Sequence, residues 1–287
     1  MNLSRPRVVL VTGASRGAGK GIAQAFGSLG DIVYVTGRSQ NEGDAPLPGT
    51  VFATAEDITR RGGIGVPVIC DHSDDAQVAA LFARILQEQG RLDILVNNAT
   101  YLHDDLVKPG PFWEKSLDLV NILDVGLRST YVTSWHAAKI MAEQNSGLIV
   151  TTSSPGAACY MHGAAYGAQK AGCDKMMHDM AIDLKPVNVT CVSIWMGVLK
   201  TERLELAVKL APEQYEPFYA MAESPEFTGR VIDALYRNEQ RLEQTGKTLI
   251  GAEIGQQLGV TDIDGRQPFS PREMLGGPLQ FNPAIVH

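Results

Sequence analysis

The 287-residue chain lacks any basic run of the kind that tracks a phosphate backbone, and its 25 Lys and Arg are outnumbered by 32 Asp and Glu. A formal charge of -7 argues against a nucleic-acid partner. No apolar stretch reaches the ~20 residues of a membrane helix, and the start, Met1 to Arg7, leads into a short strand instead of a signal-peptide core. A cytoplasmic protein with no membrane span is expected. Cysteine is scarce: Cys70, Cys159, Cys173 and Cys191 are scattered and form no CxxC pair, which argues against zinc, dithiol redox work and a disulfide framework. They read as reduced thiols, most of them buried. His103, His136, His162 and His178 show no HxxxH or paired-carboxylate spacing, so no metal site is expected. Internal repeats and low-complexity tracts are absent as well.

What recurs instead is a short β-branched run followed by a helical stretch. The runs are Val8 to Thr12, Ile32 to Thr36, Val66 to Cys70, Ile94 to Val96, Leu148 to Thr152, Val189 to Ile194 and Thr248 to Ile250. Apolar on both alternations, they read as strands buried on both faces, and their alternation with helices is the signature of an α/β fold with a doubly wound parallel sheet. The first helix is expected from Lys20 to Leu29, closed by Gly30 and Asp31. A second should carry Trp113, Leu117, Val120, Leu127, Tyr131 and Trp135, which fall three or four apart on one stripe. A third should span Tyr166 to Leu184 and stop at Pro186. Asn41 to Gly49 reads as a loop, not a linker, because the sheet pattern continues on both sides, so residues 1–287 are expected to form one domain.

The first strand runs into Thr12-Gly13-Ala14-Ser15-Arg16-Gly17-Ala18-Gly19 and then a helix. Gly13 permits a tight turn, and Gly17 and Gly19 permit close approach between backbone and a pyrophosphate lying at the positive helix end. That strand-turn-helix context points to a dinucleotide. An acid at the end of the second strand would hold the 2'-hydroxyl of NAD, but the run there is Val35-Thr36-Gly37-Arg38-Ser39. Arg38 and Arg16 are placed to take a 2'-phosphate instead, so NADP(H) is favoured, with NAD(H) as the alternative.

Tyr166 and Lys170 stand four apart, hence on one helix face. A free phenol has a pKa of ~10, so a tyrosine needs a neighbouring cation before it can exchange protons near neutrality. Upstream, Gly147 to Ser154 reads as a strand delivering a hydroxyl at its carboxyl end, where ligands bind in open parallel sheets. Such a serine can steady charge developing on a substrate oxygen.

Together these motifs resemble the short-chain dehydrogenase/reductase family over roughly residues 7 to 201: Thr12 to Gly19 as its glycine loop, Asp71 as the acid after the third strand, Asn97-Asn98-Ala99-Thr100 as its NNAG segment, and Tyr166 to Lys170 as YxxxK. The resemblance implies a Rossmann-type sheet of about seven strands in the order 3-2-1-4-5-6-7. It implies hydride transfer between a nicotinamide and a small-molecule carbonyl or alcohol substrate, and a homodimer or homotetramer. By the same resemblance Tyr166 is the acid/base, Lys170 its ribose-binding partner and Ser154 the substrate-oxygen donor. The cofactor set is Gly13, Ser15, Arg16, Gly17, Ala18, Gly19, Arg38, Asp71, Asn98, Ala99, Tyr166, Lys170, Gly197, Val198 and Thr201. Asp71 would meet the adenine, and Val198 and Thr201 the carboxamide and phosphates.

The sequence departs from the family in four places. Spacing from the tyrosine selects Ser153 as the catalytic serine, whereas the end of the strand selects Ser154, which is preferred because the Ser-Pro-Gly turn is short. Asp124 stands at the catalytic asparagine, Met196 at the proline before Gly197, and Thr100 at the last glycine of NNAG. These departures leave open a catalytically impaired nucleotide-binding or regulatory protein, and an enoyl reductase or epimerase. Residues 202–230 occupy the place of the family's mobile lid, and their apolar and aromatic side chains imply a hydrophobic substrate. The tail over 265–287 is expected to wrap the surface or a neighbouring subunit.

Overall fold

A computed structural model describes residues 5–286. Among these residues, seven strands form one sheet: β1 (Val8–Val11), β2 (Ile32–Gly37), β3 (Ile64–Ile69), β4 (Ile94–Asn97), β5 (Gly147–Ser153), β6 (Val189–Trp195) and β7 (Thr248–Ile250). They lie in the order 3-2-1-4-5-6-7 and every pairing is parallel. The helices between them are α1 (Gly17–Gly27), α2 (Val51–Arg60), α3 (Asp75–Gln89), α4 (Ser129–Gln144) and α5 (Ala164–Leu184), followed after β6 by α6 (Glu202–Leu210), α7 (Pro212–Met221) and α8 (Pro225–Arg237). None of the described helices is long and apolar enough to cross a membrane.

The unbroken apolar runs follow from two cores, one on each face. Val9 and Val11 of β1 join Ile22 and Phe26 of α1 and Phe227 and Val231 of α8. Val8 and Leu10 point the other way, to Leu81 and Phe82 of α3 and Met141 and Met177 of α4 and α5. Successive strand residues face opposite sides, so a strand sandwiched between helix layers must be apolar at every position.

Three expectations need correction. β3 lies at the sheet edge and starts earlier than expected, and its end residues Ile64 and Ile69 are exposed, because an outermost strand has a neighbour on one side only. Helix α1 begins at Gly17, not Lys20, and ends at Gly27, with Gly30 turning the chain at φ 82°. The Trp113-to-Trp135 stripe is not one helix. It breaks into short turns over Phe112–Glu114, Leu117–Val120 and Leu123–Arg128, the last a π-turn, before α4 begins. Trp113, Leu117, Tyr131 and Trp135 are exposed, since spacing identifies a shared face and not what covers it. The tail lies on the chain itself: Arg272 pairs with Glu253, and the Phe281 ring packs 4.9 Å from His178 of α5.

Candidate active site

The carboxyl ends of β1, β4, β5 and β6 open on one edge of the sheet. There Gly13 turns with φ 64°, and a Cβ on it would fall 2.7 Å from the Ala99 Cα. At Gly19 a Cβ would lie 2.4 Å from the Gly13 carbonyl oxygen and 2.5 Å from Asn98 Nδ2, so the loop is closed against its own neighbour. Asn98 is the strut: its amide donates to the carbonyls of Thr12 and Gly13, both at 3.0 Å, while Thr12 Oγ1 accepts from the Asn98 and Ala99 amides at 2.9 Å. The Gly17 N–H, at the start of α1, donates to Glu202 Oε2 at 2.9 Å, and Lys20 Nζ lies 3.8 Å from the other oxygen. Ser15 is buried, and Ala18 half-buried, in the same loop.

The two arginines differ in freedom. Arg16 donates to the Pro48 and Gly49 carbonyls and to Ser39 Oγ, which fastens the 39–49 loop over the glycine turn. Arg38 is 65% exposed, and its Nη1 lies 3.7 Å from Asp71 Oδ2. Partial burial would raise the Asp71 carboxyl, but hydrogen bonds from Ser73 and the charge of Arg38 hold it below the ordinary carboxylate range. Sequence reading missed His72. It is buried with Nε2 2.7 Å from Thr36 Oγ1, and burial pushes it down to about 4, so it is a neutral brace between β2 and the loop after β3.

On the other side of the crevice, Ser154 Oγ and the Tyr166 hydroxyl are 2.9 Å apart. Ser153 is the last residue of β5 and is fully buried, with its hydroxyl directed at the Lys170 carbonyl at 3.5 Å. Strand alternation thus sends Ser153 inward and leaves Ser154 to face the tyrosine. Gly156 lets the ring approach, since a Cβ there would sit 2.6 Å from Tyr166 Cε1. Lys170 is buried, its ammonium donating to the Thr152 carbonyl at 3.2 Å and lying 5.5 Å from the centre of the Tyr166 ring. The His162 ring meets that of Tyr166 edge to face at 5.0 Å from a left-handed backbone, φ 57°. Burial and the charge of Lys115 lower the His162 pKa, which favours the neutral imidazole.

The sequence profile of the short chain dehydrogenase family matches residues 7–209. The chain belongs to that family. This short-chain dehydrogenase is 37% identical over 274 residues to the dehydrogenase/reductase SDR family member 1 of Homo sapiens, covering 91% of this chain and 84% of that protein. The Mus musculus protein of the same name is 38% identical over 271 residues, with the same coverage. A solved short chain dehydrogenase from Mycobacterium thermoresistibile superposes with a TM-score of 0.76 at 25% identity, covering 93% of this chain and 92% of its own. Membership makes the protein an NAD(P)-dependent oxidoreductase.

Two features of this short-chain dehydrogenase stand outside the family's motif. Asp124 lies exposed on the π-turn, and among the described residues its side chain makes no hydrogen bond or ion pair. Glu223, which sequence reading did not single out, is buried under the loop after β6. Its carboxyl accepts from Gly197 N–H at 3.2 Å, its own N–H donates to the Val198 carbonyl at 2.9 Å, and Lys200 N–H donates to its carbonyl at 3.0 Å. Thr201 then caps α6, and Val198 is 41% exposed.

Burial, aided by the charge of Asp262 and opposed by the Gly197 N–H, pushes Glu223 up from 4.5 to about 8. A raised folded value means that its contribution to stability is fully present below about 4.5 and is lost as pH rises through about 8. Glu223→Gln keeps an acceptor for Gly197 without the titration. Its melting temperature should therefore match wild type in acid and exceed it at pH 9 by roughly 5 °C, read by thermal denaturation across pH. Parallel wild-type and variant curves across this range would show that Glu223 does not titrate there.

Proposed function

We propose that the protein is an NADP(H)-dependent oxidoreductase that interconverts a carbonyl and a secondary alcohol, acting as the reductase of a hydrophobic ketone or aldehyde. The observation that carries this reading is the 2.9 Å contact between Ser154 Oγ and the Tyr166 hydroxyl, with the buried Lys170 ammonium behind the ring. Two hydroxyls that converge at the mouth of a crevice are suited to hold one substrate oxygen.

The cofactor fits the residues present. The Gly13–Gly19 turn is a cradle that a Cβ would fill, and the Gly17 N–H already holds a carboxylate, that of Glu202, at the helix end where a phosphate would take the same donor. Gly13, Ser15, Gly17, Ala18 and Gly19 would hold the pyrophosphate, Asp71 the adenine, Ala99 and Asn98 the adjoining ribose region, and Gly197, Val198 and Thr201 the carboxamide and phosphates. When bound, the nicotinamide supplies or accepts the hydride. In reduction, Ser154 donates to the substrate oxygen and steadies its developing charge, while Tyr166 delivers the proton. The Lys170 ammonium favours the phenolate that remains, and its bond to Thr152 fixes where that charge sits. Asp124 can serve only through its backbone in this arrangement, because its side chain faces solvent.

Arg38 supports the phosphate-bearing cofactor, since it is exposed and no acid precedes it at the end of β2. Arg38→Asp removes the guanidinium and supplies the acid that suits a ribose diol. It should lower kcat/KM for NADPH by about 10–100-fold, the worth of one or two charge-assisted hydrogen bonds, and raise that for NADH. Unchanged cofactor preference in steady-state assays would reject the assignment. Leu206, Leu210, Phe218 and Met221 on α6 and α7 are exposed large hydrophobics of the lid segment 202–230, which supports an apolar substrate. The exposed face of Tyr131 and Trp135 supports a homodimer or homotetramer. Assay of a ketone and aldehyde panel with NADPH tests the whole reading, and cofactor binding without turnover on any member would favour a regulatory protein.

A further inference from the structure

Asp174 is a buried acid that the hydride-transfer scheme leaves without a task. It lies four residues beyond Lys170, as Lys170 lies four beyond Tyr166, so α5 presents a phenol, an ammonium and a carboxylate in succession along one face. Only 4% of Asp174 is exposed, and 6% of Lys170. Both carboxylate oxygens accept hydrogen bonds: Oδ1 from Ser193 Oγ at 2.5 Å, and Oδ2 from the Trp195 indole N–H at 2.8 Å. An indole only donates, so Oδ2 is an acceptor there, and the nearby charge of Lys170 favours the ionised carboxyl.

Three elements present groups to Asp174. Its own helix presents Lys170 and the Cys173 thiol, β5 presents the Ser153 hydroxyl, and β6 presents Ser193 and Trp195. Lys170 is the cation among them. Burial raises the Asp174 carboxyl, and Ser193, Trp195, Ser153 and the charge of Lys170 oppose that rise. The Tyr166 end of the row is faced by Ser154, His162 and Lys170. A buried ammonium without an opposite charge is costly, and the Thr152 carbonyl by itself is a neutral partner. Trp195 ends β6 directly before Met196-Gly197-Val198, so a bond from its ring to Asp174 fastens α5 to the strand that leads into that loop.

We propose that Asp174 is a positioning residue of the proton relay: it balances the buried charge of Lys170 and, through Trp195, holds the catalytic helix in register with the loop that receives the nicotinamide. The inference rests on the reading of Tyr166 and Lys170 given above. It makes Asp174 act through Lys170 and Trp195, not on substrate. Its negative charge offsets part of the field that Lys170 exerts at Tyr166, so its removal favours the phenolate and should move proton transfer to lower pH.

The test is the pH profile of kcat for NADPH-dependent reduction of a ketone from the panel, between pH 6 and 10, with the full chain. Asp174→Asn should shift the alkaline fall of kcat to lower pH by about half to one unit, the size expected of one charge acting across a helix face. Trp195→Phe removes a donor that helps hold Asp174 ionised and so weakens the same charge; it should raise KM for NADPH by about three- to tenfold and move the same limb in the same direction by less. Should Asp174→Asn not fold, Trp195→Phe alone carries the test. Profiles of the folded variants that superpose on wild type would overturn the proposal. Tyr166→Phe separates the two readings: if it is inactive while the Asp174→Asn profile is unmoved, the role of Asp174 fails alone, whereas an active Tyr166→Phe removes the relay itself.

Discussion

Tyr166→Phe should lower kcat for carbonyl reduction by about 10²–10⁴-fold while NADPH affinity stays within a few-fold of wild type. The substitution deletes one oxygen, the one 2.9 Å from Ser154 Oγ, and leaves the ring that packs against Gly156 and His162. Packing is therefore kept and only the transferable proton is lost. Ser154→Ala should fall in the same direction but leave the proton donor in place. Single-turnover rates with prebound NADPH measure the chemical step apart from cofactor binding, and a Tyr166→Phe enzyme within about tenfold of wild type would require another proton donor at the crevice.

Gly19→Ala should cost the cofactor site more than any other one-carbon change in the loop. The added methyl would lie 2.4 Å from the Gly13 carbonyl oxygen, 2.5 Å from Asn98 Nδ2 and 2.9 Å from Ala14 Cα, and two of these are backbone atoms that cannot rotate away. The turn has to open, and Asn98 loses its bonds to Thr12 and Gly13. Overpacking of this kind costs about 1–3 kcal/mol, and distortion of the phosphate cradle should weaken NADPH binding by about 100-fold or more in a fluorescence titration. Gly17→Ala is the contrast. Its methyl would meet nothing closer than 3.7 Å, so the strain comes from φ +57° alone and binding should weaken far less. Equal affinities for the two variants would show that close packing behind the loop does not shape it.

The sheet was legible because its five inner strands are buried on both faces, and burial of that kind leaves a run of Val, Ile and Leu that no loop imitates. β3 was misjudged in its burial for the complementary reason: Val66-Pro67-Val68 is apolar in sequence, but an edge position exposes its ends. The glycine loop and the Tyr166–Lys170 pair were legible because each depends on local spacing. The choice between Ser153 and Ser154 was not, since it turns on which face of β5 each residue occupies, and a missing residue in the following turn blurs the count.

The acids were the least legible part of the site. Glu202 reaches Gly17 across 185 positions, Glu223 reaches Gly197 across 26, and Asp174 reaches Ser193 and Trp195 across 19 and 21. Nothing in an acidic residue's neighbours announces such a partner, because a solvated carboxylate and a buried one are written with the same letter. Asp124 shows the reverse. It stands at the family's catalytic asparagine, but its side chain is exposed on the π-turn over Leu123–Arg128. His72 was passed over because a lone histidine after a strand carries no spacing signal, although burial beside Thr36 makes it part of the frame that supports Arg38 and Asp71.

The most direct test follows deuterium carried at C4 of the NADPH nicotinamide during reduction of a ketone. Wild type should deliver the label to the carbinol carbon of the product while the hydroxyl proton comes from solvent-exchangeable Tyr166, and Tyr166→Phe should deliver almost none. Label that is absent from the carbon in wild type, or transferred at the wild-type rate by Tyr166→Phe, would contradict that expectation.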